Sequence, residues 1–276
     1  MSEHRHAVAE YLRARRAVLQ PEDVGLPRLP GRRVEGLRRE EVAALARISA
    51  EYYVRLERGH DHQPSDQVLL ALAQALRLDD DATAYLLRLN SGGLRTSVPR
   101  TPREQKVPAS VHALLQHLSH TPAIVIDGNQ DVLAGNAIAK ALQPESLQPG
   151  KNLLLATFDV SARDRVGETW FDLATRITAS FRLRSDPDDP RFRELLARLL
   201  IQDPDFPAIW ARHDVRELGT DVTRHRIEPF GLVDVCWQHL RIPSTDLVVV
   251  MFANPPGSPA AAAIRYLAET LRLSSS

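Results

Sequence analysis

The stretch that most constrains this chain is LRREEVAALARISAEYYVRLERG, residues 37–59. Its apolar residues repeat at helical spacing on either side of a short break: Val42, Leu45 and Ala46, then Tyr53 and Leu56. Ser49 can cap the second segment with its hydroxyl, and Gly59 is the residue that commonly follows a helix end. The pattern predicts two short helices joined by a tight turn, an arrangement that the major groove of DNA accepts.

The same stretch resembles the helix-turn-helix of the XRE, or lambda-repressor-like, family. EEVA at 40–43 matches its E-E-L-A, and RLERG at 55–59 matches its closing R-L-E-x-G, whereas Arg39 stands where a Gln is usual. The motifs PEDVGLP (21–27), WARHDV (210–215) and PGSP (256–259) resemble MmyB-like regulators of actinobacteria. The resemblance spans nearly the whole chain and implies a sequence-specific DNA-binding transcriptional regulator.

Two groups of residues are predicted to contact double-stranded DNA. Five arginines and one acid lie between Arg28 and Arg39, directly before the first helix, where cations can neutralise phosphates. Aligned on the XRE pattern, Ala50, Glu51 and Arg55 face base edges, while Ser49 and Arg58 lie near phosphates. The full predicted set is Arg32, Arg33, Arg38, Arg39, Ser49, Ala50, Glu51, Tyr52, Arg55 and Arg58.

Composition excludes several other classes of protein. A formal net charge of zero argues against a protein that coats nucleic acid without specificity. The sequence contains no apolar run near the length of a membrane span and no signal-peptide pattern, so we expect a cytoplasmic protein without a membrane partner. The single cysteine, Cys236, allows no internal disulfide and fits a reducing compartment.

The chain is long enough for two domains, and a Pro- and Gly-containing stretch at 93–108 reads as a linker between them. We predict an all-α helix-turn-helix domain of five helices over 1–92, followed by an α+β PAS-like domain over 109–276. The second domain reads as a hairpin (123–126 and 132–134), a helix capped by Asn136, helices at 166–181 and 191–200, strands at 215–227, 231–240 and 247–252, and a last helix at 260–271. We expect helices to cover one face of its sheet. The PAS-like assignment is implied by the resemblance to MmyB-like regulators.

That resemblance also implies that the second domain senses a small ligand. Sparse charge on its strands favours an apolar or acyl-like molecule, such as a bound fatty acid, and we expect no other cofactor. The predicted pocket residues are Trp170, Phe171, Phe181, Trp210, Trp237 and Met251. The segment 219–223 lacks a basic residue that the family leads us to expect there.

Two alternatives stay open for the second domain. It can instead be a protein-interaction or dimerisation module without a ligand, in which case it would present a flat apolar patch and not a cavity. An enzyme is disfavoured because no nucleophile motif, phosphate loop or pair of catalytic carboxylates is present. His117 and His120 share one predicted helix, but no further ligand completes a metal set.

We expect a homodimer, because helix-turn-helix proteins usually bind two half-sites.

Overall fold

The computed structural model describes residues 2–28, 32, 34–59, 63–91 and 107–274. The chain divides into two compact units. The first contains Met1–Pro99 together with Pro207–Glu217, and the second contains Arg100–Phe206 together with Leu218–Ser276. Most of the predicted linker, residues 93–106, lies outside the described residues.

The first unit is helical, as the sequence predicts. Its five predicted helices are present: α1 (Ser2–Val18), α2 (Arg39–Leu45), α3 (Ala50–Arg58), α4 (Asp66–Ala75) and α5 (Asp80–Ser91). Side chains cap three of them: the Ser49 and Ser65 hydroxyls accept from first-turn N–H groups of α3 and α4, and the Asp79 carboxylate does so for α5. The apolar stripes meet in a core that includes fully buried Leu12, Leu37, Tyr53, Leu69, Leu72 and Leu86.

The second unit combines helices with one antiparallel sheet. In chain order its elements are α6 (Ala109–His117), β1 (Ala123–Ile126), β2 (Val132–Gly135), α7 (Ala137–Leu142), α8 (Leu153–Thr157), α9 (Val160–Val166), α10 (Trp170–Arg184), α11 (Pro190–Gln202), α12 (Phe206–Ala211), β3 (Thr220–Ile227), β4 (Gly231–Arg241), β5 (Val248–Phe252) and α13 (Pro259–Ser274). Most of α12 belongs to the first unit, which begins again at Pro207. The strand order is β2-β1-β5-β4-β3, with every neighbouring pair antiparallel. This is the α+β architecture that the sequence predicts.

The expectation that helices cover one face of the sheet is wrong for its centre. On one face Ile124, Val250 and Phe252 pack with apolar residues of α7 and α13. On the other face Val125 and Val249 pack with α6. Because successive side chains of a strand point to opposite faces, an uninterrupted apolar strand indicates burial on both faces. The apolar runs of β1 and β5 carried that signal.

The remaining differences concern element ends and short helices. The third strand begins at Thr220 and not at residue 215, and the long helix predicted from 166 begins at Trp170. Helices α8, α9 and α12, of five to seven residues, were not predicted from the sequence. The sequence signals for α8 and α9 are their caps Asn152 and Asp159, which accept from first-turn N–H groups. No helix within the described residues is both long and apolar enough to cross a membrane.

Candidate DNA-binding surface and ligand cavity

Helices α2 and α3 form the predicted pair, joined by a turn that ends at the cap Ser49. The turn is tight because Arg47 adopts a left-handed backbone conformation with φ of 55°. Helix α3 buries Tyr53, Leu56 and Glu57 against the rest of the unit. Its opposite face is therefore the one available to a groove.

The outer face of α3 carries the predicted base-reading residues. Glu51, Arg55 and Arg58 are exposed, and Ala50 and Tyr52 are partly exposed. The Arg55 guanidinium lies 5.7 Å from the centroid of the Tyr52 ring, so the two side chains occupy the same face one turn apart. Arginine, glutamate and a flat aromatic on one exposed helical face are suited to hydrogen bonding and packing against base edges.

A buried ion-pair network holds the inner face of α3. The Glu57 carboxylate, 2% exposed as a residue, accepts from Arg16 Nε at 2.5 Å and Arg39 Nε at 2.6 Å. Burial alone would raise the pKa of Glu57, but the hydrogen bonds from Arg16 and Arg39 outweigh it and hold the pKa below its ordinary value. Glu57 is thus a carboxylate that fixes α1 and α2 to the inner side of the recognition helix.

Arg32 has a structural position that the sequence did not indicate. Its guanidinium donates to both oxygens of Glu41, at 2.7 and 2.5 Å, and to the Gly36 carbonyl at 2.7 Å. Only 4% of its side chain is exposed. This bidentate pair ties the arginine-rich loop to the first turn of α2, so Arg32 does not present its charge to a phosphate in this structure.

Gly36 brings that loop against α1. A Cβ at this position would lie 2.4 Å from the Ala17 carbonyl oxygen, which is closer than two non-bonded heavy atoms can approach. The neighbouring Leu37 N–H donates to the Arg16 carbonyl at 3.0 Å. A glycine is therefore required for the loop to pack here.

The other predicted phosphate contacts divide into three cases. Arg38 is partly exposed at the start of α2, and its backbone N–H donates to Glu41 at 2.6 Å. Arg39 pairs with Glu57 yet keeps 47% of its side chain exposed. Arg33 lies outside the described residues. Arg38 and the outer part of Arg39 therefore lie at the N-terminal end of α2, and their contact with phosphates stays a prediction.

The second unit contains a cavity of about 70 Å³ that is partly open to solvent. Residues of α8, α9, α10, β3 and β4, together with the segment 143–147 that follows α7, form its wall. The wall is largely apolar and includes Leu147, Leu153, Val166, Leu173, Ile177 and Trp237. A concave site of this kind, apolar with a few polar groups, is typical of a small-molecule pocket.

Three charged residues lie on this wall, and two of them are paired. Asp221 forms an ion pair with Arg176 at 3.0 Å, and Arg224 forms one with Asp234 at 2.9 Å. Arg165 has neither a hydrogen bond nor an ion pair to any residue that the structure describes. Burial lowers the pKa of Arg165, and the charges of Glu145 and Asp159 only partly offset that effect.

A neutral histidine lies beside this arginine. His225 is 3% exposed, and burial, reinforced by the charge of Arg165, lowers its pKa from 6.5 to about 3. Its Nε2 lies 2.8 Å from the Thr223 hydroxyl, which also accepts from the Trp237 indole N–H. The hydroxyl can then donate its own proton to Nε2, which places the imidazole proton on Nδ1.

The six aromatic and sulfur side chains predicted for the pocket lie in different places. Only Trp237 belongs to the wall of this cavity. Trp170 is buried behind the wall, where its indole N–H donates to the Thr157 carbonyl at 2.7 Å. Phe181 stacks on Phe192 in the interior, and Phe171 is 46% exposed.

The other two predicted pocket residues are directed elsewhere by the fold. Met251 packs against the α6 face of the sheet, because its neighbour Phe252 takes the other face. Trp210 lies within the segment Pro207–Glu217, which belongs to the first unit.

The polar residues of the cavity were missed by sequence reasoning. Arg165 follows the unpredicted helix cap Asp159, and Thr223 and His225 alternate along β3. One sequence signal existed. The segment 219–223, singled out because it lacks an expected basic residue, supplies Asp221 and Thr223 to the wall.

Comparison with known families agrees with this geometry. Residues 7–86 match a family described as a helix-turn-helix domain. Residues 107–267 match the family described as MmyB-like transcription regulator ligand binding domain. A comparison with curated proteins found no match. A helix-turn-helix followed by a ligand-binding domain defines a ligand-regulated, DNA-binding transcription regulator. The chain belongs to the MmyB-like transcription regulators.

Proposed function

We propose that this regulator senses an amphipathic molecule with an apolar, acyl-like body and an acidic head, and that the head binds Arg165. The proposal rests chiefly on one observation. Among the described residues of the cavity wall, Arg165 is a desolvated cation without a hydrogen-bonded or ion-paired partner. An unpaired charge beside apolar surface is costly, and a carboxylate or phosphate would satisfy it with charge-assisted hydrogen bonds.

Two of the nearby acids, Asp159 and Asp221, support this assignment because each is already engaged by another residue. The Asp159 carboxylate accepts from the Ser161 N–H at 2.9 Å and from the Ser161 hydroxyl at 2.6 Å. Asp221 pairs with Arg176. Neutral His225 adds no charge that would compete with Arg165 for an anion. An anionic head is therefore better matched to this wall than a cationic or purely apolar ligand.

The apolar part of the wall determines the chemistry of the rest of the ligand, its body. Leu147, Val166, Leu173 and Ile177 offer no hydrogen-bonding side chains, which disfavours a sugar or a nucleotide. The partly open cavity can accept one end of a chain while the remainder extends outward. A fatty-acid-like molecule satisfies both requirements.

The direct test has two stages. Native mass spectrometry of freshly purified full-length protein reports any co-purified ligand. Thermal unfolding with decanoate, compared with decanol at the same concentration, then isolates the contribution of the acidic head. We expect decanoate to raise Tm more than decanol, because only the carboxylate can pair with Arg165. Equal effects of the two compounds would contradict the acidic head.

The alternative second domain, a protein-interaction module without a ligand, is favoured less by this structure. The observation in its favour is that Val222 of β3 and Leu232 and Leu240 of β4 are exposed. A cavity with an unpaired cation is more readily explained by a ligand. Binding of neither probe compound, with a stable self-association or partner complex, would reverse this preference.

For the first domain we propose XRE-type recognition of double-stranded DNA by the outer face of α3. The exposed Glu51, Arg55 and Arg58, the caps at both helix ends and the fixed inner face support it. We also propose that the second domain is PAS-like, because helices α7–α12 separate the β1–β2 hairpin from the last three strands of one antiparallel sheet.

We further propose that the regulator binds its operator as a homodimer. One short recognition helix reads too few base pairs for a genome-scale search, and paired half-sites about one turn apart solve this problem. Sedimentation at micromolar concentration, with and without a selected operator, measures the state. A monomer under both conditions would refute the proposal.

A further inference from the structure

Residues Pro207–Glu217 are an excursion of the chain. They belong to the first unit, although the residues on both sides of them belong to the second. The excursion contains the WARHDV motif at 210–215, to which neither the DNA-binding surface nor the cavity gives a role. Its residues Ile209 and Val215 are buried, so it is packed and not a loose loop.

The excursion is attached to α1 through Arg15. The Arg15 guanidinium forms an ion pair with Asp214 and donates to the Arg212 carbonyl at 3.3 Å. Asp214 also accepts from Arg212 Nε at 2.7 Å. Only 20% of each of the Arg15 and Asp214 side chains is exposed, so solvent screens this pair incompletely.

A second attachment fixes the excursion to α5. The Glu217 N–H donates to the Asp81 carboxylate, in the first turn of that helix, at 2.9 Å. Tyr11 of α1 lies between the two attachments, with its ring centroid 6.4 Å from that of His213 and 5.3 Å from that of Tyr85. Helices α1 and α5 are thus held together with the excursion in one cluster.

Helix α1 in turn contacts the recognition helix. Arg16, the residue next to Arg15, donates to Glu57 of α3 at 2.5 Å, and Glu57 is buried on the inner face of that helix. Neighbouring residues of α1 therefore bind the excursion and the recognition helix. A displacement of the excursion would therefore be passed to α3 through a single turn of α1.

The chain that enters the excursion is fixed to the wall of the cavity. Arg163 of α9 donates to Asp203 at 2.5 Å and to Asp205 at 2.6 Å, just before α12 begins. Phe206 is fully buried against Phe158, at 5.1 Å between ring centroids. The same helix α9 carries Arg165, the proposed anchor of the ligand head.

The chain that leaves the excursion enters the wall directly. The Gly219 carbonyl accepts from the His239 N–H at 3.2 Å, and Thr220 begins β3. Thr223 and His225 of β3 line the cavity, as does His239. Both ends of the excursion are therefore continuous with elements that would contact a ligand.

We propose that the excursion Pro207–Glu217 transmits occupancy of the cavity to the recognition helix, through the Arg15–Asp214 pair and α1. The direction of the effect rests on the proposed ligand, but the mechanical coupling does not. A ligand head paired with Arg165 favours one position of α9, and the Arg163 ion pairs carry that preference to the start of the excursion. Because coupling is reciprocal, loosening the excursion at α1 must also loosen the cavity wall.

Reciprocity provides a test that needs neither ligand nor operator. Amide hydrogen exchange is measured on the full-length protein and on Arg15→Gln and Asp214→Asn, with Arg13→Gln as the control. Arg13→Gln removes the same charge from the same helix. The Arg13 side chain is exposed and its Nε donates to the Ala9 carbonyl of α1, and not to the excursion. We expect peptides of α9 and β3 to exchange roughly three- to tenfold faster in the first two variants, as for loss of one partly buried ion pair.

Charge reversal guards against simple misfolding. Because Arg212 also donates to Asp214, the reversal is made in an Arg212→Gln background. There Arg15→Asp with Asp214→Arg can re-form the pair, so we expect exchange in α9 and β3 to return toward the rate of Arg212→Gln alone. Wild-type exchange in the cavity wall of both single variants would overturn the proposal. Acceleration that the reversed pair does not rescue would do the same, since it would assign the effect to general destabilisation.

A second measurement adds decanoate. In the wild type we expect slower exchange in α9 and β3, together with a changed rate in α1 and α3. In Arg15→Gln the first change should remain and the second should be lost. Protection of the cavity wall with no response of α1 and α3 in the wild type would refute the transmission alone. No protection anywhere would refute the proposed ligand, and the ligand-free test would still decide the role of the excursion.

Discussion

Replacement of Arg165 by Met tests the ligand site and has an unusual expected sign. Methionine keeps much of the length of the side chain and removes the charge. Because Arg165 is desolvated and has no ion pair or hydrogen bond to a described residue, its loss should stabilise the protein without ligand. Its loss should also weaken binding of an acidic ligand. Loss of a residue retained only for packing would not raise stability and weaken ligand binding together.

The size of each effect follows from the position of the side chain. Arg165 is only partly buried, so we take the low end of the roughly 1–3 kcal/mol that an unsatisfied buried polar group costs, about 1 kcal/mol. That value corresponds to a rise in Tm of about 2–4 °C for a domain of this size. Charge-assisted hydrogen bonds to a ligand head contribute about 1.5–3 kcal/mol. Their loss should weaken decanoate binding roughly 10- to 150-fold.

The assay compares Tm and decanoate affinity in the wild type, Arg165→Met and Arg224→Met. Arg224 is a suitable control, because it lies on the same wall but its guanidinium pairs with Asp234 at 2.9 Å. We expect Arg224→Met to leave decanoate binding within about twofold of wild type. A destabilised Arg165→Met that binds decanoate as well as the wild type would refute the reasoning.

The remaining predictions concern DNA and pH. Arg55→Ala should cost about 1–3 kcal/mol of discrimination at one base pair of each half-site, and an unchanged preference in binding-site selection would remove Arg55 from base reading. Arg38→Ala should flatten the dependence of affinity on salt, whereas Arg13→Ala should not, because only Arg38 lies beside α2. Arg32→Ala should lower Tm by breaking the pair with Glu41 while leaving the salt slope unchanged; the reverse result would return Arg32 to the phosphates. The folded pKa of His225 is about 3 and its ordinary value is 6.5, so its contribution is complete above pH 6.5. As pH falls toward 3, unfolding should become easier by up to about 1.4 kcal/mol per unit, a slope that His225→Gln should lack in pH-dependent denaturation.

Local signals in the sequence determined the helical domain almost completely. Periodic apolar residues, a serine cap and a terminal glycine define α2 and α3 within one stretch of chain, and each acts over fewer than five residues. The hairpin of the second domain and the helix capped by Asn136 are local in the same way, and the structure confirms both. Patterns of this kind are readable because neighbouring residues in sequence are also neighbours in space.

Tertiary structure decided which of these residues do what. Arg32 and Arg38 look equivalent in the sequence, yet only Arg32 meets Glu41 with its guanidinium. Aromatic residues were reasonable pocket candidates, but Phe181 stacks on Phe192. The cavity lies instead among mainly aliphatic side chains near Arg165. The excursion at 207–217 meets Arg15 across almost two hundred positions of chain. Such pairings depend on how whole elements pack, and no short-range pattern of residue types encodes them.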